Sequence, residues 1–229
     1  MVHVDDFLVT GNITQVQWFE KELKERFEVK TTIIGEGPKH EGKYVNRRLV
    51  WTEEGLELEG DSKHVNILLK EWSMEDCRGL DTPVAKDIDE KLISQNSMEM
   101  KEATKFRRAA ARINFMAQDR PDLSAASRKL SQFMSDPKVG CEVILKRVIR
   151  YLKSHPRCVT RMGWQLMPEE ITVLVDSDWA GCQKSRKSTS GGVILLGKHL
   201  IMHWGRLQGN VALSSGEAEL NAAVKGVSE

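Results

Sequence analysis

The sequence predicts an α+β protein in which a strand-rich N-terminal part, a helical middle and a mixed C-terminal part follow one another. Three observations carry this. Side chains over 44–59 alternate around Glu53-Glu54-Gly55, and apolar residues over 61–153 recur at three- and four-residue steps. The β-branched run Ile171-Thr172-Val173-Leu174-Val175 then precedes further strand and helix signals. A repeat of two puts alternate side chains on one strand face, and a repeat near 3.6 makes one helix stripe. The segments predicted from these patterns are 1–60, 61–157 and 158–229.

Residues 1–10 read as part of a β-hairpin, with apolar residues flanking Asp5-Asp6 and the carboxylates at its tip. Thr10-Gly11-Asn12 breaks the strand, and Val16, Phe19, Leu23 and Phe27 set a helix over 14–27. A second hairpin runs from Tyr44 to Trp51 and returns through Leu56-Glu57-Leu58-Glu59, whose alternation buries one face. Asp61 or Ser62 caps a helix striped by Val65, Leu68, Leu69 and Trp72. The polar stretch from Leu80 to Ser97 is a surface loop. Helices follow at 99–117, 122–134 and 138–153, separated by Arg120-Pro121-Asp122 and Ser135-Asp136-Pro137. In the last of them Ile144, Leu145, Val148, Ile149 and Leu152 form the apolar face, and His155-Pro156 ends it. A boundary falls within 156–170. Strands over 171–175, 191–196 and 200–204 come next, the last two turning at Gly197-Lys198, and a helix opens at Ser214-Ser215-Gly216-Glu217.

The totals exclude several classes. An apolar fraction of 40% over 229 residues supports a packed core, and no segment reaches the ~18 uncharged apolar residues that span a bilayer. Asp5 and Asp6 interrupt any signal-peptide core. Cys77, Cys141, Cys158 and Cys182 form no C-x-x-C pair, which argues for reduced thiols inside a cell and against a zinc site. A net charge of +1 leaves the partner question to local clusters.

Two readings of Asp5-Asp6 stand. Aspartate is common in turns, where its side chain bonds the local backbone. Two repelling carboxylates between apolar strand residues are also costly unless a cation neutralises them. Acidic side chains recur at Asp176, which closes the β-branched run, and at Glu217 and Glu219 in the last helix. Glu217 lies three residues after Ser214, the spacing of a capping box.

His3-Val4-Asp5-Asp6 resembles the tyrosine-x-Asp-Asp hairpin of reverse transcriptases, in the form used by copia-type LTR retrotransposons. Met74-Glu75-Asp76-Cys77 with Asp81-Thr82-Pro83 is similar to that family's thumb pattern. Arg120-Pro121-Asp122-Leu123, Leu130-Ser131-Gln132-Phe133-Met134 and Lys146-Arg147-Val148-Ile149-Arg150-Tyr151-Leu152-Lys153 resemble its next blocks, in order. Asp176-Ser177-Asp178-Trp179-Ala180-Gly181, Ser188-Thr189-Ser190-Gly191-Gly192 and Ala212-Leu213-Ser214-Ser215-Gly216-Glu217-Ala218-Glu219 resemble the start of its ribonuclease H. The matches are colinear and cover nearly the whole chain.

The resemblance implies a partial reverse-transcriptase palm hairpin, a helical thumb and connection, and a truncated ribonuclease H-like mixed α/β domain. It implies catalytic, metal-binding roles for Asp5 and Asp6, as two of three polymerase aspartates, and for Asp176 and Glu219, as the first two ribonuclease H carboxylates. The implied cofactor is Mg2+ or Mn2+. On residues alone the alternative for Glu219 is an exposed helix position. His3 replaces the family's tyrosine near the primer end, and its alternative is a packed strand residue.

Lys105, Arg107, Arg108 and Arg112, and Lys146, Arg147, Arg150 and Lys153, are solvated helix faces on residue type alone. The resemblance places them against template–primer phosphates, with salt-sensitive, sequence-independent binding. His199 and His203 read as structural. Implied partners are an RNA template with a DNA primer, RNA–DNA hybrid and the rest of the Pol polyprotein, with no membrane, in the cytoplasm (a virus-like particle) or the nucleus. Two further readings stand: a degenerate remnant that only binds nucleic acid, and a remnant with no function.

Overall fold

A computed structural model of the protein describes residues 1–85, 96–182 and 185–229. They form a mixed α/β architecture of six α-helices and three antiparallel sheets. The chain divides into two compact units, Met1–Asp61 with Val159–Trp164, and Ser62–Cys158 with Gln165–Glu229.

In the first unit, β1 (Val2–His3) and β2 (Asp6–Phe7) pair around a turn in which Val4 takes a positive φ of 53°. Helix α1 (Ile13–Arg26) starts where Asn12 accepts a hydrogen bond from the Thr14 amide at 3.0 Å. Its apolar stripe is only partly covered, and no α1 residue is fully buried.

The single strand expected over 44–51 is two. Strands β3 (Glu41–Tyr44) and β4 (Arg47–Thr52) meet at Val45 and Asn46, both with positive φ, the backbone of a two-residue hairpin turn. Strand β5 (Gly55–Glu59) follows β4, and β6 (Val159–Gly163) completes the order β3-β4-β5-β6. The β5–β6 pairing joins residues about a hundred positions apart, and no local pattern announces it. Gly55 is required there: its φ is +158°, and a Cβ would lie 2.2 Å from the Met162 carbonyl oxygen. Trp51 and Trp164 pack with ring centroids 4.4 Å apart beside this pairing.

The second unit begins with α2 (Lys63–Glu71), α3 (Met100–Met116), a 3-10 turn (Pro121–Leu123), α4 (Ser124–Ser131) and α5 (Cys141–Ser154). The stripes read from the sequence converge. Leu68, Phe106, Ile113, Leu145, Val148, Ile149 and Leu152 are fully enclosed in one core. Each such side chain contributes roughly 1.5–3 kcal/mol by leaving water. Of the loop expected between Leu80 and Ser97, residues 86–95 lie outside the described residues.

The C-terminal sheet has the order β7 (Ile171–Ser177), β8 (Thr189–Leu196), β9 (His199–Leu207), each strand longer than its sequence signal. Helix α6 (Ser215–Ser228) packs on one face. A Cβ on Gly226 would lie 2.6 Å from Val175 and 3.0 Å from Val173, so these side chains point toward α6. Trp204 shares that face, in register with Gly192 and Val175. Alternation puts Leu174 and Asp176 on the other face, with His203, whose ring bonds Ser124 of α4.

Candidate functional site

The hairpin of β1 and β2 presents Asp5 and Asp6 together. Asp5 lies in its turn and Asp6 pairs with His3, and all three are solvent-exposed. Asp176 stands near the C-terminal end of β7, and Glu219 in the second turn of α6. The same end of the sheet holds both. Gln208 Nε2 donates to the Ala218 carbonyl and to Ser190 Oγ, and Ser190 pairs with Ser177. Asp176 is nonetheless on the face opposite α6.

The neighbours of these two acids differ from them. Asp178 Oδ1 accepts the Thr189 amide at 2.6 Å and closes the end of the sheet. Glu217 Oε2 accepts the Leu213 amide at 2.7 Å, while its own amide donates to Ser214 Oγ at 3.1 Å. That is the reciprocal capping expected from the Ser214–Glu217 spacing, displaced by one amide. Asp5, Asp6, Asp176 and Glu219 are exposed and make no hydrogen bond or ion pair with the described residues. Among the described residues no group of three His, Cys, Asp or Glu side chains is placed to hold a metal ion. Asp5 and Asp6 are adjacent in the chain and exposed, and two carboxylates are a donor set that suits a hard cation completing its shell with water and phosphate oxygens.

The cationic residues separate by role. On α5, Arg147 donates to Thr82 Oγ1 at 2.7 Å, Arg150 to the Arg78 carbonyl at 2.7 Å, and Lys153 to the Glu75 carbonyl. Lys146 pairs with Glu142 one turn back at 2.6 Å. Three of the four therefore clamp the 75–82 segment on α5, where Leu80 also donates to the Arg150 carbonyl and Gly79 lies too close to Ser154 for a Cβ. On α3, Arg107 bonds the Met134 and Ser135 carbonyls. Arg112 Nη1 lies 3.1 Å from His64 Nδ1, and its Nη2 is 4.0 Å from Glu71. Lys105 sits 4.4 Å over the Trp72 ring, a cation–π contact. Arg108 is exposed.

Two polar clusters were not singled out from sequence. Arg120, 6% exposed, donates to Asp122 at 3.3 and 2.6 Å, and Tyr151 Oη donates to the same carboxylate at 2.7 Å. Burial opposes ionisation of Asp122, yet the Arg120 and Tyr151 hydrogen bonds outweigh it and hold the carboxyl below its usual range. Burial, then the Asp122 carboxylate, pushes the Tyr151 phenol up to about 12. In the second cluster Ser124 Oγ is 2.9 Å from His203 Nδ1. Burial lowers the neighbouring Arg128 guanidinium from its usual value, while the Asp178 carboxylate opposes that. Ser124 and His203 are 79 residues apart and carry no mutual spacing that a sequence pattern could expose.

The class is a mixed α/β protein of six helices and three antiparallel sheets among the described residues. Comparison with known proteins then gives the family. Over 226 residues the chain is 28% identical to an uncharacterized mitochondrial protein of Arabidopsis thaliana, covering 97% of this chain and 88% of that protein. It is 31% identical, over its whole length, to the retrovirus-related Pol polyprotein from transposon RE1 of the same plant. It spans only 15% of that polyprotein's length. A secreted RxLR effector protein of Plasmopara viticola is 38% identical over 133 residues, 57% of this chain and 91% of the effector. No family model and no solved structure matches. The chain's homologues are retrovirus-related Pol polyproteins of copia-type transposons. Among the described residues, no helix is long and apolar enough to cross a membrane.

Proposed function

We propose that the chain is a piece of an RNA-directed DNA polymerase and ribonuclease H: the C-terminal part of the reverse transcriptase followed by the N-terminal part of the ribonuclease H. The observation that carries this reading is the contrast at the end of β7. Asp178 and Glu217 are spent on the fold, whereas Asp176 and Glu219, which match the family's carboxylates, are not. Aspartate is disfavoured inside a strand, so a side chain that does nothing for the sheet is there for something outside it.

In the parent enzyme, Mg2+ or Mn2+ held by Asp5 and Asp6, and by Asp176 and Glu219, would neutralise the charge that builds on phosphate oxygens. Asp5 and Asp6 present their carboxylates at an exposed hairpin tip, with His3 across the pair to hydrogen-bond a primer end. Asp176 and Glu219 face RNA phosphates of an RNA–DNA hybrid from the strand end. The partners are the RNA template and DNA primer, the hybrid and the remaining Pol segments, in a cytoplasmic virus-like particle or the nucleus. Residues 1–229 alone bring two carboxylates to each place and are proposed to be inactive in both reactions. The test is primer extension and hybrid cleavage by purified residues 1–229 with added Mg2+. Neither product is expected; extension lost in Asp5→Asn would overturn the inactivity, and reconstitution with flanking Pol segments would restore both reactions.

A second reading, a remnant that only binds nucleic acid, is favoured by Lys105 and Arg108, neighbours on one side of α3 and both exposed. Binding to hybrid would then weaken with salt, with a log–log slope of about −0.9 per phosphate contact. A salt-independent interaction excludes it.

A further inference from the structure

One exposed tryptophan of the second unit is held in place without being packed. Trp179 stands two residues past the end of β7 and is 57% exposed. Trp72 and Trp204 are nearly enclosed, and packing holds their rings while their indole N–H groups have no partner. Trp179 is the reverse case. Its Nε1 donates to the Ala212 carbonyl at 3.1 Å, and Ala212 is buried just ahead of α6. The polar handle of the indole is therefore turned onto the protein, and the apolar ring is left outside.

The backbone around this ring is restrained as well. Asp178 Oδ1 accepts the Thr189 amide, and the Ala180 amide donates to Ser188 Oγ at 3.0 Å. Ser188 is fully buried. Ala180 takes a φ of 53°, a left-handed conformation that is costly for a residue with a Cβ. A Cβ on Gly181 would lie 2.3 Å from Asp178 Oδ2, so glycine is required there. These restraints orient a large apolar side chain whose burial is not realised until something covers it.

The chemistry of the ring narrows what that is. With its N–H committed, the indole offers a π face and no hydrogen bond, and every nucleobase has a matching face. Arg186, in the same loop, is exposed and supplies a guanidinium for an adjoining phosphate. Bases inside a duplex are already stacked on one another, so an unpaired base is the occupant that fits.

We propose that Trp179 stacks on an unpaired base where single strand runs out of an RNA–DNA hybrid at the end of β7. Nucleic acid at that end follows from the ribonuclease H reading, on which this rests; the stacking itself needs neither a metal ion nor a reaction.

The experiment is fluorescence anisotropy of residues 1–229 in EDTA with two labelled hybrids, one carrying a short single-stranded tail and one the same tail without bases. The tail with bases should bind roughly 5- to 150-fold more tightly, the span of one stacked base, whichever base it carries. Salt should weaken both alike, since their phosphates are the same and only these release counterions. Trp179→Ala should bind the two hybrids equally. Trp179→Phe, which keeps a ring and loses the N–H, should retain part of the discrimination. A merely structural tryptophan would weaken both hybrids together and leave their ratio unchanged. If Trp179→Ala does not fold, NMR of the native chain decides: the Trp179 ring signals should shift with the base-bearing tail and not with the abasic one. No measurable binding, equal affinity for the two hybrids, or discrimination that survives in Trp179→Ala would overturn the proposal. So would Trp179 signals that shift with protein concentration alone, which would make the ring a contact between copies. Base discrimination alongside failed reconstitution of hybrid cleavage would sink the enzyme reading and leave the stacking role; restored cleavage with equal affinities would do the reverse.

Discussion

Replacing Asp122 by Asn keeps the shape of the side chain and removes the charge that compensates Arg120. In the native protein the guanidinium is 6% exposed and meets the carboxylate at 3.3 and 2.6 Å, with Tyr151 Oη at 2.7 Å on the same oxygen. Arg120 Nη1 has no hydrogen-bond partner already, so the carboxylate is the main compensation for a buried positive charge. Removing one partner of such a pair costs about 3–5 kcal/mol, since the other charge is left without compensation. Tyr151→Phe removes only a hydrogen bond to a charged acceptor and should cost about 1.5–3 kcal/mol. The two losses should not add, because the same carboxylate is used twice. Urea unfolding at pH 7 measures each as a shift of midpoint at constant m-value. The pH dependence has a fixed sign. A carboxyl whose folded-state pKa is depressed contributes stability above its unfolded value of about 3.9, and that contribution fades as pH falls through the folded value. The gap between the native protein and Asp122→Asn should therefore be full at pH 5–7 and narrow below pH 4. Tyr151, raised to about 12, acts oppositely: its contribution is full below pH 10 and is lost as pH rises from 10 toward 12. A loss under about 1 kcal/mol for Asp122→Asn, or a gap that stays constant from pH 7 to pH 3, would refute the assignment of this cluster.

Gly55→Ala puts a Cβ 2.2 Å from the Met162 carbonyl oxygen at a φ of +158°, so β6 should detach from β5; amide exchange at 159–163 should accelerate before any change in the helical core. Gly192→Ala drives a methyl group into the Trp204 ring and the Leu174 carbonyl, at 2.3 and 2.9 Å. A loss of about 1–3 kcal/mol is expected from such overpacking, read by Trp204 fluorescence during denaturation. Arg150→Met removes the bond to the Arg78 carbonyl; exchange of the Leu80 amide should rise while hybrid binding at low salt stays unchanged. A drop in hybrid binding with unchanged exchange would instead make Arg150 a phosphate contact.

The parts of the fold that were legible were those with local periodicity. Ile144, Leu145, Val148, Ile149 and Leu152 announced α5 because their spacing alone defines a stripe, and all are buried. Val159–Gly163 gave no such signal: it is short, holds Arg161 and ends in glycine, and its partner strand is fixed by Gly55 far upstream. The turn at Val45-Asn46 left one trace, since Asn tolerates positive φ, but the flanking strand residues masked it. At the candidate site, Asp176 and Glu219 became legible only through resemblance to a family. Their separation in sequence says nothing of a shared strand end, and the sheet face on which Asp176 lies depends on a register that only the paired strands establish.

The blocks that carry the family resemblance do two different jobs, and the structure separates them. In the helical region the blocks fit one another. The 74–82 block is clamped by Arg147, Arg150 and Lys153 of the 146–153 block, and Arg120-Pro121-Asp122 is tied to Tyr151 of that same block. Folding alone accounts for those side chains, so their presence says that the helical core is retained and nothing about catalysis. The acidic positions are the opposite case. Exposed, and without a bond to the described residues, Asp5, Asp6, Asp176 and Glu219 add nothing to stability, and their substitution should move it by less than about 0.5 kcal/mol. Aspartate inside β7 is disfavoured on strand propensity, whereas aspartates at a hairpin tip are also ordinary turn residues. On the proposed reading these four carboxylates act on something the chain binds, so their substitution should change binding and leave the unfolding midpoint in place.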